Sequence, residues 1–304
     1  MSPVPGILSR QGVKELLYRT LFALWPVRPK VERPVFVIGC PRSGTTILCR
    51  VLGAHPDIVA LNEPRHIWAY QPKTWIWGAR GRKVGGKLVL TAEDAPEGIV
   101  RKIRKAFGVM LSLGGGKVLV EKLPINSFRI PFIRSIFPQA RFILIIRNGV
   151  DTAFSIARKA DSGVWFAHED YKWELLSELA RERGEGSLLE VCTSNVLRGL
   201  MEWRLNVSWA TRELGAMGSE AVHEVRYEEF LTDPEGVCGE MEKFVGLCSS
   251  AEMRQFAVAT VHRVPRPNSA VELRKEVELI AGDLLARLGY ESSPFVGKEF
   301  DGGD

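Results

Sequence analysis

The sequence predicts a three-layer α/β sandwich, with a central, mostly parallel sheet flanked by helices. Three observations predict it. Four short, mostly apolar runs, Val35–Cys40, Lys117–Glu121, Arg141–Ile146 and Ala221–Arg226, read as buried strands. Stretches of helical pattern separate them, and such alternation argues for parallel strands covered on both faces. The first run leads directly into Gly39-Cys-Pro-Arg-Ser-Gly-Thr-Thr-Ile-Leu48, a Gly/Pro/Ser turn that opens a helix. That is the layout of a phosphate-cradling, P-loop-type segment.

Bulk properties bound the rest. A chain of 304 residues has room for one large α/β domain with insertions or two small ones. Its net charge of +5 suits an anionic ligand. The Lys and Arg residues are spread along the chain without a run that would track a nucleic-acid backbone, so no nucleic-acid partner is expected. The five cysteines are odd in number and loosely spaced, with no CxxC pair or Cys/His cluster. Neither a metal site nor a disulfide framework is expected, and a reducing, cytoplasmic setting is. No apolar run approaches the ~20 residues of a membrane span.

Residues 1–30 read as an N-terminal helical segment. Within it, Val13–Trp25 mixes apolar and basic side chains. It reads either as a helix capping the domain or as a peripheral contact with a membrane surface or lipid-like acceptor. Residues 31–297 are expected to form one domain with insertions at about 65–116 and 161–194, followed by an acidic tail over 298–304.

Ligands gather at the carboxyl ends of parallel strands, so the residues that follow each strand are the candidate site. After the first strand, Gly39, Gly44 and Thr46 stand where a nucleotide-triphosphate loop has glycine, glycine and Ser/Thr. Thr45 stands where that loop needs the lysine that meets the β- and γ-phosphates. The loop is therefore suited to one phosphate and poorly equipped for ATP or GTP chemistry. His55-Pro-Asp-Ile-Val-Ala-Leu-Asn-Glu-Pro64 follows the first helix. Residues 71–116 form the least regular region, with Trp75, Trp77 and the basic stretch Arg80–Lys87, and read as a substrate lid or as a surface excursion. Lys122 follows the second strand. Arg147 closes the third, and Ser155 follows eight residues later on a helix over Gly149–Lys159. A guanidinium fork and a hydroxyl make a second phosphate-binding element. Asn195–Leu214 reads as a long helix with a core-packing stripe of Val196, Leu200, Trp203, Val207, Ala210 and Leu214. Tyr227 follows the last strand.

Two phosphate elements on neighbouring strands point to a nucleotide with phosphates at two separate places, and here the chain resembles sulfotransferases that use 3′-phosphoadenosine 5′-phosphosulfate. Pro41–Thr46 resembles that family's 5′-phosphosulfate loop and Arg147…Ser155 its 3′-phosphate element. Glu121-Lys-Leu-Pro124 and Tyr227-Glu-Glu-Phe-Leu-Thr-Asp-Pro234 follow in the family's order, so the resemblance covers roughly residues 34–247. It implies that Arg42, Ser43, Gly44, Thr45 and Thr46 hold the phosphosulfate end. Arg147 and Ser155 would hold the 3′-phosphate, with Tyr227 in the donor-binding set. Arg263 and Arg266, in a basic segment that departs from the cytosolic pattern, would add phosphate contacts or form a surface loop. Arginine at position 42 resembles the bacterial and tyrosylprotein-type branches.

The resemblance also implies an in-line displacement without metal. Glu63 would take the acceptor's proton and Lys122 would steady charge on the departing phosphate, leaving adenosine 3′,5′-bisphosphate. His66 is the alternative base, and His55 is expected to order a helix end. The alternatives for Glu63 and Lys122 are a structural carboxylate and a partly exposed ion pair. Trp68, Trp75, Trp77, Trp165 and Phe166 either line the acceptor site or pack the core. The acceptor is a hydroxyl of a carbohydrate, lipid or small molecule. A P-loop kinase and a catalytically degenerate nucleotide- or glycan-binding protein are the rival readings.

Overall fold

The computed structural model describes residues 10–26, 30–163, 165–166, 170–262 and 273–290. The Arg263 and Arg266 contacts and the 298–304 tail lie outside the described residues. Five strands form one sheet: β1 Val35–Ile38, β2 Ile58–Asn62, β3 Val118–Lys122, β4 Arg141–Ile146 and β5 Val222–Arg226. Their order is β2-β3-β1-β4-β5 and every pairing is parallel. The expected architecture is therefore present, with corrected strand ends and one strand more.

The extra strand is β2. It is an edge strand of only five residues with a mixed burial pattern, and it carries Ala60 and Asn62, so its apolar signal is weak. Its presence changes the reading of residues 71–116. Part of that region is the long crossover helix Glu97–Gly114, which joins β2 to β3 and buries Ile103, Ala106, Phe107 and Val109. Parallel neighbours require such a crossover. The preceding stretch is also held firmly. The fully buried guanidinium of Arg129 donates to the carbonyls of Thr74 (2.8 Å), Lys87 (3.2 Å) and Leu88 (3.4 Å).

Alternate strand residues point to opposite faces, and two cores result. Phe36, Leu119, Phe142 and Leu144 pack under the helices Glu97–Gly114, Ile130–Ile136, Gly149–Ala160 and Asn195–Leu214. Val35, Val37, Val120, Ile143 and Ile145 pack under Thr45–Leu52, Pro234–Val245 and Ala251–Thr260. The Asn195–Leu214 helix has the bounds its periodicity predicts.

The chain leaves β1 across one face through Thr45–Leu52. It leaves β4 across the other through Gly149–Ala160. The connections therefore diverge at the carboxyl ends of β1 and β4. This is the usual ligand position of an open α/β sheet. Among the described residues no helix is long and apolar enough to cross a membrane.

Candidate active site

The loop after β1 has the backbone its glycines permit. Gly39 has φ 146° and Gly44 has φ 97°. A Cβ on Gly39 would stand 2.4 Å from the Ile145 carbonyl oxygen, and one on Gly44 would stand 2.5 Å from the Tyr227 ring. Tyr227 thus sets the close wall of the loop. The Gly39 N–H donates to Ser127 Oγ (3.0 Å), and Ser43 N–H closes the turn on the Cys40 carbonyl (3.1 Å). Gly44 caps the Thr45–Leu52 helix with no side-chain hydrogen bond to its first amides. A helix start of this kind favours an anion.

Arg147 and Ser155 lie beside this loop. Arg147 donates to the Arg42 carbonyl (3.3 Å) and its guanidinium covers the Tyr227 ring at 4.5 Å. Trp203 Nε1 fixes the Arg147 backbone by donating to its carbonyl (3.0 Å), and Asn148 caps the helix that carries Ser155. The Arg42 side chain reaches the same place, donating through Nε to Ser155 Oγ at 3.2 Å. Burial, then the charges of Arg158 and Arg147, hold Arg42 below its ordinary pKa. The loop and the Arg147–Ser155 element therefore share one electropositive wall. Ser43 joins it through a 3.4 Å contact with Thr152 Oγ1.

A second cluster stands at the ends of β2 and β3. The Lys122 ammonium is 1% exposed and donates to Thr46 Oγ1 (3.1 Å) and Glu63 Oε1 (3.0 Å). The other Glu63 oxygen accepts from Arg65 at 2.7 Å. Backbone geometry locks the pair, because Glu63 N–H donates to the Lys122 carbonyl (2.7 Å) and β2 aligns Asn62 with Lys122. Burial pushes the Glu63 carboxyl up, but Lys122 and Arg65 outweigh it and hold the group below the ordinary carboxylate value. Glu63 keeps about a third of its side-chain surface open to solvent, which leaves it reachable.

Left-handed φ marks both clusters. Among the described non-glycine residues only Arg42 (73°), Glu63 (51°) and Asp170 (42°) adopt it. Two of the three are candidate site residues, and strained backbone of this kind concentrates at functional sites.

Sequence reasoning missed the layer beneath. Glu121 is fully buried and accepts from Trp68 Nε1 (2.8 Å) and Asn126 Nδ2 (3.1 Å). Burial pushes its carboxyl up to about 8 against those hydrogen bonds. The turn Pro124–Phe128 therefore serves both clusters, through Asn126 on Glu121 and Ser127 on Gly39. The signal for it was the acid next to Lys122 inside an apolar strand.

The aromatic expectations divide. Trp68 and Phe166 are buried in the core and line no open site. Trp165 donates to the buried Glu202 (2.8 Å). Trp77 lies under the Arg65 guanidinium at 4.0 Å, in contact with the group that holds Glu63. His66 stacks on Tyr18 (4.2 Å) beneath the N-terminal helix, and His55 orders its turn through Asp57 N–H and the Cys248 carbonyl.

Fold and site together are an open α/β sheet with a glycine loop at the carboxyl end of β1 and an acid–cation pair beside that loop. The model of the sulfotransferase family matches residues 34–250, and the chain belongs to that family. Nodulation protein NoeE of Sinorhizobium fredii is 27% identical over 293 residues, 85% of this chain and 66% of that protein. Protein-tyrosine sulfotransferase 1 of Danio rerio is 31% identical over 129 residues, 41% of this chain and 36% of that protein. The chain thus spans about two thirds or less of these relatives' length. Among solved structures, the sulfotransferase domain from the curacin biosynthetic pathway superposes with TM-score 0.52 at 14% identity, covering 86% of this chain and 99% of that one. Sulfotransferase STF9 from Mycobacterium avium gives TM-score 0.52 at 16% identity, covering 92% and 83%. These two likenesses show the fold.

Proposed function

We propose that this sulfotransferase takes its sulfuryl group from 3′-phosphoadenosine 5′-phosphosulfate and transfers it in line to a hydroxyl of a carbohydrate, lipid or small molecule. The observation that carries the reading is the Lys122 ammonium, held between the phosphate-loop hydroxyl of Thr46 and the Glu63 carboxylate. It joins the donor loop to a base.

In this reading Ser43, Gly44, Thr45 and Thr46 hold the phosphosulfate through loop amides and hydroxyls, and Arg147 with Ser155 holds the 3′-phosphate. Arg42 serves the 3′-phosphate too, because its guanidinium already lies on Ser155. Tyr227 supports the loop from beneath. Glu63, ionised at neutral pH, takes the acceptor proton as the oxygen attacks sulfur. Lys122 and the loop amides stabilise the negative charge left on the phosphate. Positioning and electrostatics supply most of such catalysis. Trp77 and Arg65 flank the base on the side from which an acceptor would approach. A cytoplasmic setting belongs to the same proposal, supported by five unpaired cysteines.

Calorimetric titration with adenosine 3′,5′-bisphosphate, against ADP with and without magnesium, tests the donor. Tight, magnesium-independent binding of the bisphosphate is expected. Preference for magnesium-ADP would overturn the reading and favour a kinase.

A further inference from the structure

The N-terminal helix Arg10–Leu24 has two apolar faces. Phe22 is buried, and Tyr18, Leu21 and Trp25 pack against the core. Leu16, Leu17 and Leu24 are 60%, 66% and 76% exposed. At about 100° per residue those three fall within one arc of about 100°, a leucine stripe turned away from the protein. They are half of the six large hydrophobic side chains exposed among the described residues.

The surroundings of the stripe are cationic. Arg19 is exposed on the same helix. Lys105, which lines a cavity of about 1030 Å³, donates to the carbonyl of Ala23 (2.8 Å), the residue before Leu24. Val31, Phe137 and Pro138 contribute apolar surface to that cavity. Lys30, Arg101, Lys102, Arg104 and Lys105 also line it, five cations against the single carboxylate of Glu32. Lys30 and Val31 precede β1, and Phe137 and Pro138 precede β4. The cavity therefore opens at the amino ends of these strands, the opposite edge of the sheet from Glu63 and Lys122.

We propose that this face is a docking surface for an anionic lipid bilayer. Leucines enter the acyl boundary, cations meet lipid phosphates, and the cavity takes a head group. Exposed leucines beside cations are the composition of an interfacial helix. A purely acidic partner would match the cations and leave the leucine stripe in water.

The test is co-sedimentation of the full chain with phosphatidylcholine vesicles, with and without phosphatidylglycerol. Binding is expected only with the anionic lipid and should weaken with salt. Arg101→Glu with Lys102→Glu should lower partitioning at least about tenfold, since each cation near such a surface contributes appreciably. Leu17→Ser with Leu24→Ser should lower it comparably. Both variants should keep wild-type affinity for adenosine 3′,5′-bisphosphate, which separates lost docking from lost folding. Failure to bind anionic vesicles at low salt overturns the proposal, as does equal binding to neutral ones. A lipid-free dimer abolished by the leucine changes overturns it in favour of a second copy as the occupant.

Discussion

Two neighbouring stretches of the strand row, one at its edge and one at its middle, handle charge in opposite ways. Beside β1 and β4, Arg42 stands among charges of its own sign, Arg147 and Arg158, and is disfavoured by them. At β2 and β3, the cations Lys122 and Arg65 converge on one carboxylate, Glu63. The first arrangement is uncomfortable until an anion arrives, which suits binding. The second is satisfied in the resting protein and holds a carboxylate ionised, which suits the proposed role of a base. One fold can thus separate holding a nucleotide from reacting with it, using strand ends a few ångströms apart in the hydrogen-bonding direction.

Substitutions at the two stretches should come apart. The largest effect is expected at the edge stretch. Glu63→Gln should cut turnover by at least ~10²-fold, the typical contribution of a positioned base, with affinity for adenosine 3′,5′-bisphosphate nearly unchanged. Arg147→Ala should weaken that affinity by roughly 10- to 100-fold, as expected for a charge-assisted contact to phosphate, and change turnover at saturating donor much less. Titration and initial rates on both variants check the split.

The cations on Glu63 also set a pH dependence. Because Glu63 is held below the ordinary carboxylate value, its base form persists at neutral pH and is lost only as pH falls through that lowered value. The acid limb of kcat/KM should therefore lie below the ordinary range of a glutamate carboxyl. Arg65→Ala removes one of the two stabilising cations and should move that limb upward.

The layer beneath acts on stability and not on turnover. Folded Glu121 keeps its proton up to about 8, whereas the same carboxyl in the unfolded chain ionises near 4.5. The folded state then binds the extra proton, so stability falls as pH rises through that window. Glu121→Gln removes this slope. The wild-type Tm, measured relative to the variant, should decline between pH 5 and pH 8.

The binding stretch was legible in the sequence because its parts are local. Gly39, Gly44 and the Thr45–Thr46 pair follow one apolar strand, and Arg147 with Ser155 follows another, so short-range pattern marks both. Glu63 and Lys122, the proposed reactive residues, were legible through family resemblance. Their geometry was not, because it depends on the short edge strand β2. Without β2, Glu63 is a carboxylate in a turn, and Glu97–Gly114 belongs to an irregular insertion. With β2, Asn62 pairs with Lys122, which sets the next residue, Glu63, beside that lysine, and the helix is a crossover. Arg42 shows the same limit. Its place in the loop is set by local sequence, but the direction of its side chain toward Ser155 is decided by tertiary packing across 113 residues. Trp68, read as a possible acceptor wall, instead holds the buried Glu121, a contact that no local periodicity encodes.

The most direct test of this division is a crossed measurement. Bisphosphate affinity and single-turnover rate with saturating, labelled donor would be determined for the wild type, Glu63→Gln, Arg147→Ala and the double variant. The account predicts that Glu63→Gln lowers the rate alone, that Arg147→Ala lowers chiefly the affinity, and that the double variant shows both losses undiminished. Equal loss of affinity and rate in either single variant would contradict it, and would mean that one coupled site, rather than two, carries the function.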